Sequence, residues 1–581
     1  MEKRLLLFFA VTFLLVSLWP RLFPPPARPT PPDGDVTAPK KAVREEERPA
    51  AAHRVEGGAP GADTPVASPA ARVAAAVASV VVETDVYRLT FSNQGARLVS
   101  ARLKEFNDDA GEPYELVSVE ASEHTGAYPL ELKLASPART EEVRTALFEV
   151  SAAGPIAISG SAKAELVFGW SNGAGVEVTK RLRFDGAVYG FDVEVSVREN
   201  GREVAKEILY GPSLGREIAS GQYVGKEKGV LASRGEVQLF SGSDLEEAGT
   251  AVSVEASGVA SHYFAALMLP EPGGLYGSRI TKMTIPTPAE ARSKNKKTPK
   301  EHDVITATLE APGSPAAFHL FLGPKKLELL EALRPGLSRI IELGSWMWYP
   351  AMLLRTGLLA LHERVGNWGW AIVLLTVVIN LFLVPLKHYS FVSMRKMQKL
   401  APSIQRIKDR YKKVKPTDPR YQQMNQEIMG LYKEHKVNPV SGCLPMLLMI
   451  PFFFAFYRLL MSSIELRQAP FILWIHDLSQ FDPYFVLPIL MGVTQIVIQK
   501  MTPTTTVDPV QAKIMQFMPI MFTFILAWAP AGLVLYWFSN NLVSMAQQVI
   551  TNRWLGRAED GEGGVKGAKA KKSAKQAQAH G

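Results

Sequence analysis

The residues with most chemistry to offer in this chain are amides set in hydrocarbon. The stretch "GWAIVLLTVVINLFLVPLKH", 369–388, is apolar from Ala371 to Leu386 except at Thr376 and Asn380, spaced i,i+4. A second apolar run carries Gln495 and Gln499, again i,i+4, after Thr494. A third carries Asn540, Ser544 and Gln547, which share one face of a helix. A primary amide has two donors and an acceptor oxygen, and leaving them unpaired in hydrocarbon is costly. Such groups bond one another across helices, or they bond a polar stretch of polypeptide passing between them. Covalent chemistry has no comparable constellation. There is no GxSxG, no phosphate loop and no GxGxxG opening a helix. Cys443 is the single cysteine, and no Cys/His group has zinc spacing. Neither a metal, a cofactor nor ATP hydrolysis is expected. His262 in "SHYFAALML" and His319 in "AAFHLFLG" are candidate acid/base groups for an anchored enzyme or sugar binder, but both adjoin strand-like apolar residues and read as structural.

The elements that must position the amides divide the 581 residues by composition. "MEKRLLLFFAVTFLLVSLWPRLF" opens with Lys3 and Arg4 before a short apolar run. With Trp-Pro-Arg in place of a small-residue cleavage site, 1–22 reads as a signal anchor rather than a cleaved signal peptide. Residues 23–79 are rich in Pro and Ala and read as a linker. Between 80 and 325 the period changes to two. Tyr87, Leu89 and Phe91 share a face, as do Tyr189, Phe191, Val193, Val195 and Val197. With Asp185-Gly186 and Asn200-Gly201 as turns, this predicts a large β-sandwich. Residues 326–366 mix Trp346, Trp348, Arg355 and His362 with apolar residues, the pattern of interfacial helices; an additional span is the alternative.

A five-span core over 367–550 follows, with spans near 369–386, 443–461, 483–500, 514–529 and 531–550. With the anchor, that makes six spans. The loop 387–441 carries 13 Lys/Arg against 4 Asp/Glu, the tail 551–581 carries 7 against 3, and 462–482 carries one Arg against three acids. The positive-inside bias puts both termini in the cytoplasm and the β domain outside, in the periplasm of a two-membrane cell. In that orientation the spans beginning at 369, 483 and 531 all hold their polar residues in their cytoplasmic halves. A pore needs polar residues throughout; this distribution predicts a blind, wet groove open to the cytoplasm. Packing glue between helices is the alternative. In 387–441, Met394, Met397, Leu400, Ile404, Ile407 and Tyr411, then Tyr421, Met424, Ile428 and Leu431, recur at three and four. They predict a basic helical hairpin, with Asp418 as N-cap and Pro419 at N1. Its Met-rich face suits varied partners. Ribosomal RNA, anionic phospholipids and nascent chains fit the basic hairpin and tail; nothing calls for DNA.

The stretches "VGNWGWAIVLLT", "NPVSGCLPMLLMIPFFFAFYRLL", "SSIELRQAPFILWIHDLSQFDPYFVLPILMGVTQIVIQKMTPT" and "IMQFMPIMFTFILAWAPAGLVLYWFSNNLV" resemble the YidC/Oxa1/Alb3 membrane insertase family, Gram-negative YidC type. The resemblance covers nearly the whole chain outside the linker and tail. It implies an inner-membrane insertase and chaperone acting on nascent membrane proteins, alone or with the Sec translocon. It also implies a multi-domain membrane protein with an α-helical core and a periplasmic β-supersandwich. Thr376, Phe453, Met491, Tyr536 and Trp537 match positions lining the family's substrate path, and the apolar Phe453 and Met491 suit a slide for a hydrophobic segment. Asn380 stands where the family usually has Arg or Lys, so the charge expected in the groove is missing at its usual place. Met449 replaces a frequent Gln, for which Gln495, at a position often apolar in the family, is the candidate compensation, and Trp537 replaces a frequent Tyr. Arg355, in the preceding interfacial helix, is a poor substitute for the cation.

Overall fold

The computed structural model of the chain describes residues 71–108, 110–152, 154–215, 227–245, 249–287, 301–344, 347–412, 414, 418–435, 437, 444–501 and 509–553. The anchor, most of the linker, the tail beyond 553 and Cys443 lie outside the described residues. Two compact units divide between Gly323 and Pro324.

The first unit is built of strands whose alternation was legible. In Tyr87–Ser92 and Phe191–Glu199 every second residue is buried, including Tyr87, Leu89 and Phe91 and then Phe191, Val193, Val195 and Val197. Asn200 and Gly201, both at positive φ (52° and 77°), close the hairpin after the second strand. The strands form a ten-stranded sheet and two five-stranded ones. Phe91 of the first short sheet meets Phe168, Phe184 and Phe191 of the long sheet with ring centroids 6.3, 5.9 and 6.0 Å apart. The other half of the long sheet lies on the second short sheet. There Ser257 Oγ and Ser278 Oγ are 2.5 Å apart, and a Cβ on Gly229 would come within 2.2 Å of the Ile280 side chain. One long sheet facing two short ones is a supersandwich. Two short helices, α1 (Val119–Thr125) and α2 (Pro137–Thr145), decorate it. The linker ends earlier than expected. Arg72 and Ala74 already donate backbone hydrogen bonds to Ser171 O and Leu147 O, which fixes the chain before the first strand at Ser79–Glu83.

The least exposed charged residue of this unit, among the described residues, is a lysine. Lys180 is 1% exposed, and its ammonium donates to Gly95 O (2.7 Å), Ala96 O (3.0 Å) and Leu130 O (2.7 Å). Three carbonyls match the three N–H groups of an ammonium. Burial nevertheless pushes the amine down to about 7, against the nearby Glu131 carboxylate, which raises it.

The second unit is helical. α3 (Leu327–Leu333) and α4 (Trp348–Val365) precede α5 (Trp368–Arg410), α6 (Pro419–Glu434), α7 (Leu444–Ser462), α8 (Val486–Met501), α9 (Pro509–Leu526) and α10 (531–553). Trp368–Pro385 has the length and hydropathy to cross a membrane, while Val486–Met501 and Met515–Leu526 are apolar but shorter. α5 differs from the expectation of a span followed by a separate hairpin. It runs unbroken for 43 residues through Pro385 and Pro402, so the span and the first hairpin arm are one helix about 65 Å long. A proline removes one hydrogen bond and bends a helix without ending it when the flanking turns hold. Asn367 caps α5, accepting from Trp370 N (3.1 Å) while its amide donates to Pro470 O (3.0 Å). Asp482, buried, accepts from Trp474 Nε1, Tyr484 N and Leu487 N and so fixes the start of α8.

Candidate functional site

Residues seven apart on a helix lie two turns apart on the same face. Asn380 and Lys387 of α5 stand in that relation, as do Asn540 and Gln547 of α10. The two faces meet. Asn380 is 1% exposed; its amide nitrogen donates to Thr376 O (2.8 Å) and Asn540 Oδ1 (3.1 Å). Its oxygen accepts from Lys387 Nζ at 2.5 Å, and the same ammonium donates to Ser544 Oγ at 3.2 Å. Gln547 Nε2 adds a bond to Asn380 O (3.1 Å), while its own oxygen is buried without a partner among the described residues. Asn380 is therefore fully bonded.

Lys387 answers the missing charge. Asn380 itself is neutral, but a cation reaches its oxygen from two turns further along the same helix. Its hydrogen bonds among the described residues go to neutral oxygens, and no carboxylate there opposes it. Sequence reasoning counted Lys387 only as a marker of orientation. The signal was its i+7 spacing from Asn380 and a stem long enough to turn back along an apolar wall. Arg355 is not available as a substitute. Glu328 holds it through two bonds (2.7 and 2.9 Å) and Glu465 through a third (3.2 Å), tying α4 to α3 and to the turn after α7.

The six groove candidates divide among four settings. Asn380, Asn540 and Ser544 form the cluster with Lys387. Thr376 is buried and its hydroxyl bonds its own helix at Ile372 O. Gln495 accepts from Trp537 Nε1 (3.3 Å), on the α8 side of α10, and Asn541 bonds Met491 O and Thr494 Oγ1 there. Gln499 bonds Met515 O and lines a cavity of about 740 Å³ beside Arg395, Gln398, Lys500, Gln516 and Asn552. Of the six, only Gln499 lines that cavity. The others bond one another, the backbone, Lys387 or Trp537, because the polar groups of adjoining helices lie within reach.

The slide candidates also separate. Phe453 and Trp537 meet edge to face at 4.8 Å, with Phe522 5.7 Å from Trp537. Tyr536 is buried against Phe456 (4.3 Å, stacked) and Met491 is 1% exposed, so both are core. In the hairpin, Met397, Leu400 and Ile404 form a buried cluster with Val437, and Met394, Ile428 and Leu431 pack against it. Met424 is buried as well, and Tyr421 is half-buried. The Met-rich face is thus the inside of the hairpin, leaving the basic residues outside. Arg410 and Tyr411 both hold Glu427 across the two arms (2.8 and 2.7 Å). The Asp418 side chain caps α6 at Arg420 N, and the Arg420 guanidinium holds its carboxyl below the usual range. In the first unit His319 Nδ1 pairs with Asp192 Oδ1 at 2.8 Å on the sheet surface. Among the described residues no group of His, Cys, Asp and Glu could hold a metal.

The profile of the "YidC periplasmic domain" matches residues 79–355, and that of the "60Kd inner membrane protein" matches 360–558. The membrane protein insertase YidC of Geobacter metallireducens is 35% identical over 577 residues, covering 96% of this chain and all of that one. The chain belongs to the YidC membrane protein insertase family. The YidC of Vibrio cholerae is likewise 35% identical, over 84% of this chain and 88% of its own. A crystal structure described as an active YidC insertase is similar at 18% identity and a TM-score of 0.33, over 84% of this chain.

The Lys387–Asn380 contact makes a prediction. Asn380→Arg places a second cation against the ammonium and is expected to lower folded yield in detergent, about 1–3 kcal/mol in stability. Adding Lys387→Asn moves the charge to position 380 and restores yield and insertion. Equal behaviour of the single and double variants contradicts the contact.

Proposed function

We propose that this protein inserts and folds inner-membrane proteins without ATP hydrolysis, alone or with the Sec translocon, by taking a polar segment of the substrate against the Lys387 cluster. The observation that carries the reading is a half-buried ammonium whose hydrogen bonds among the described residues go to neutral oxygens, at the end of a span that the positive-inside bias places toward the cytoplasm. A polar segment entering between α5 and α10 exchanges water for amides, hydroxyls and one cation. That shortens the hydrocarbon it must still cross, and burial of the substrate's own apolar segment drives the rest. Phe453 and Trp537 offer that segment an aromatic wall. The basic outside of the hairpin and the tail fit ribosomal RNA.

The test is a photoreactive residue in place of Ser544, offered stalled nascent membrane proteins of increasing length. Crosslinks that come and go with chain length are expected. Crosslinks to neighbouring helices alone, at every length, overturn the groove reading. Deleting 394–435 is expected to abolish co-translational insertion while the remaining helices assemble, seen as unchanged membrane yield; normal insertion by that deletion removes the hairpin from the mechanism.

A further inference from the structure

The cavity beside Gln499 has a distinct chemistry. Two cations, Arg395 of α5 and Lys500 of α8, stand on its wall, and no acid lines it among the described residues. Four carboxamides, Gln398, Gln499, Gln516 and Asn552, line it as well. Phe517 and Ile520 of α9 form an apolar side and are 64% and 57% exposed. Their exposure continues along the same helix through Met521 and Phe524, at helical spacing, into the apolar span Met515–Leu526. The site has a charged end and an apolar track leading from it. That polarity matches an amphiphile with an anionic head and an apolar chain.

We propose that this cavity binds the phosphodiester headgroup of an anionic phospholipid from the cytoplasmic leaflet, with one acyl chain laid along Phe517, Ile520 and Phe524. Arg395 and Lys500 neutralise the phosphate, the carboxamides hydrogen-bond its ester and glycerol oxygens, and α9 supplies the apolar track. The proposal rests on the membrane orientation used above. It does not require the Lys387 cluster to receive substrate.

The test is native mass spectrometry of the full-length protein released from detergent with phosphatidylglycerol or phosphatidylcholine added. A retained phosphatidylglycerol adduct is expected, weakened about fivefold by each of Arg395→Gln and Lys500→Gln. Lys387→Met leaves it unchanged, which separates this site from the groove. Equal retention of the two lipids, or adducts indifferent to both substitutions, overturns the proposal. Displacement by millimolar inorganic phosphate assigns the site to the free anion and overturns the lipid. A phosphatidylglycerol photoprobe on the unaltered protein gives a check independent of folding defects: labelling must fall in 515–524. Labelling elsewhere, or crosslinking of a nascent chain there in preference to the probe, refutes it.

Discussion

Lys387→Met is expected to lower insertion of substrates with an acidic residue ahead of their apolar segment by about 10- to 100-fold, the worth of one hydrogen bond between charged groups. Substrates lacking such a residue should change little. Lys387→Arg should keep most of the activity, because the longer guanidinium still reaches Asn380 Oδ1 and Ser544 Oγ. The reason is electrostatic. The ammonium sits against an amide oxygen at 2.5 Å and a hydroxyl at 3.2 Å, and a carboxylate entering the cluster would be its first opposite charge among the described residues. Methionine preserves the stem's packing and removes only the charge and its donors. Protease-protection assays on paired substrates, with and without the acid, give the measurement. Equal losses for both would mean that the lysine serves α5–α10 packing and not substrate charge.

The other large effect lies in the strand-rich unit. Lys180→Met should destabilise it by about 3 kcal/mol or more, since Gly95 O, Ala96 O and Leu130 O each lose a donor while remaining buried. The same residue sets a pH dependence. Burial pushes its folded-state value down to about 7, whereas the unfolded chain titrates near about 10.4. Below pH about 7 both states carry the proton and the contribution is flat. Between the two values the unfolded state holds a proton that the folded state has released. Stability therefore rises with pH across that window, by up to about 1.4 kcal/mol per pH unit. Hydrogen exchange of the strands in the whole protein, at pH values from 6 to 9, should show this slope, and Lys180→Met should abolish it. A slope that survives the substitution assigns it to another group.

Much of this architecture was legible because burial imposes a period. Tyr87, Leu89 and Phe91, and the run Phe191–Val197, declared their sheet faces, and the hairpin's Met and Ile positions declared an apolar face, which the sequence reading offered to varied partners and which is the hairpin's interior. Lys180 was legible by the same rule: Val176, Val178, Leu182 and Phe184 are its buried neighbours at period two. The sequence reading passed over it because lysine is a surface residue by default. What was hidden depends on side-chain direction and on competition between bonds. Asn380 was expected to line a wet groove, yet Thr376 O, Asn540 and Lys387 take up its amide. The family's cation was sought at position 380, while the charge comes from two turns away. The unbroken course of α5 was hidden too, since two prolines normally argue for a break and only the packing of the flanking turns decides.

That course joins two things usually treated apart. Pro385 lies between Asn380 and Lys387, so the one weakened joint in this part of the rod falls between the cation and the oxygen it holds. Arg410, at the far end of the same helix, is 23 residues beyond Lys387, a lever arm of about 35 Å. A sideways load on the hairpin is a torque about Pro385, and its first effect is to open or close the distance between ammonium and amide. Whatever grips the hairpin therefore holds a handle on the charge inside the bundle.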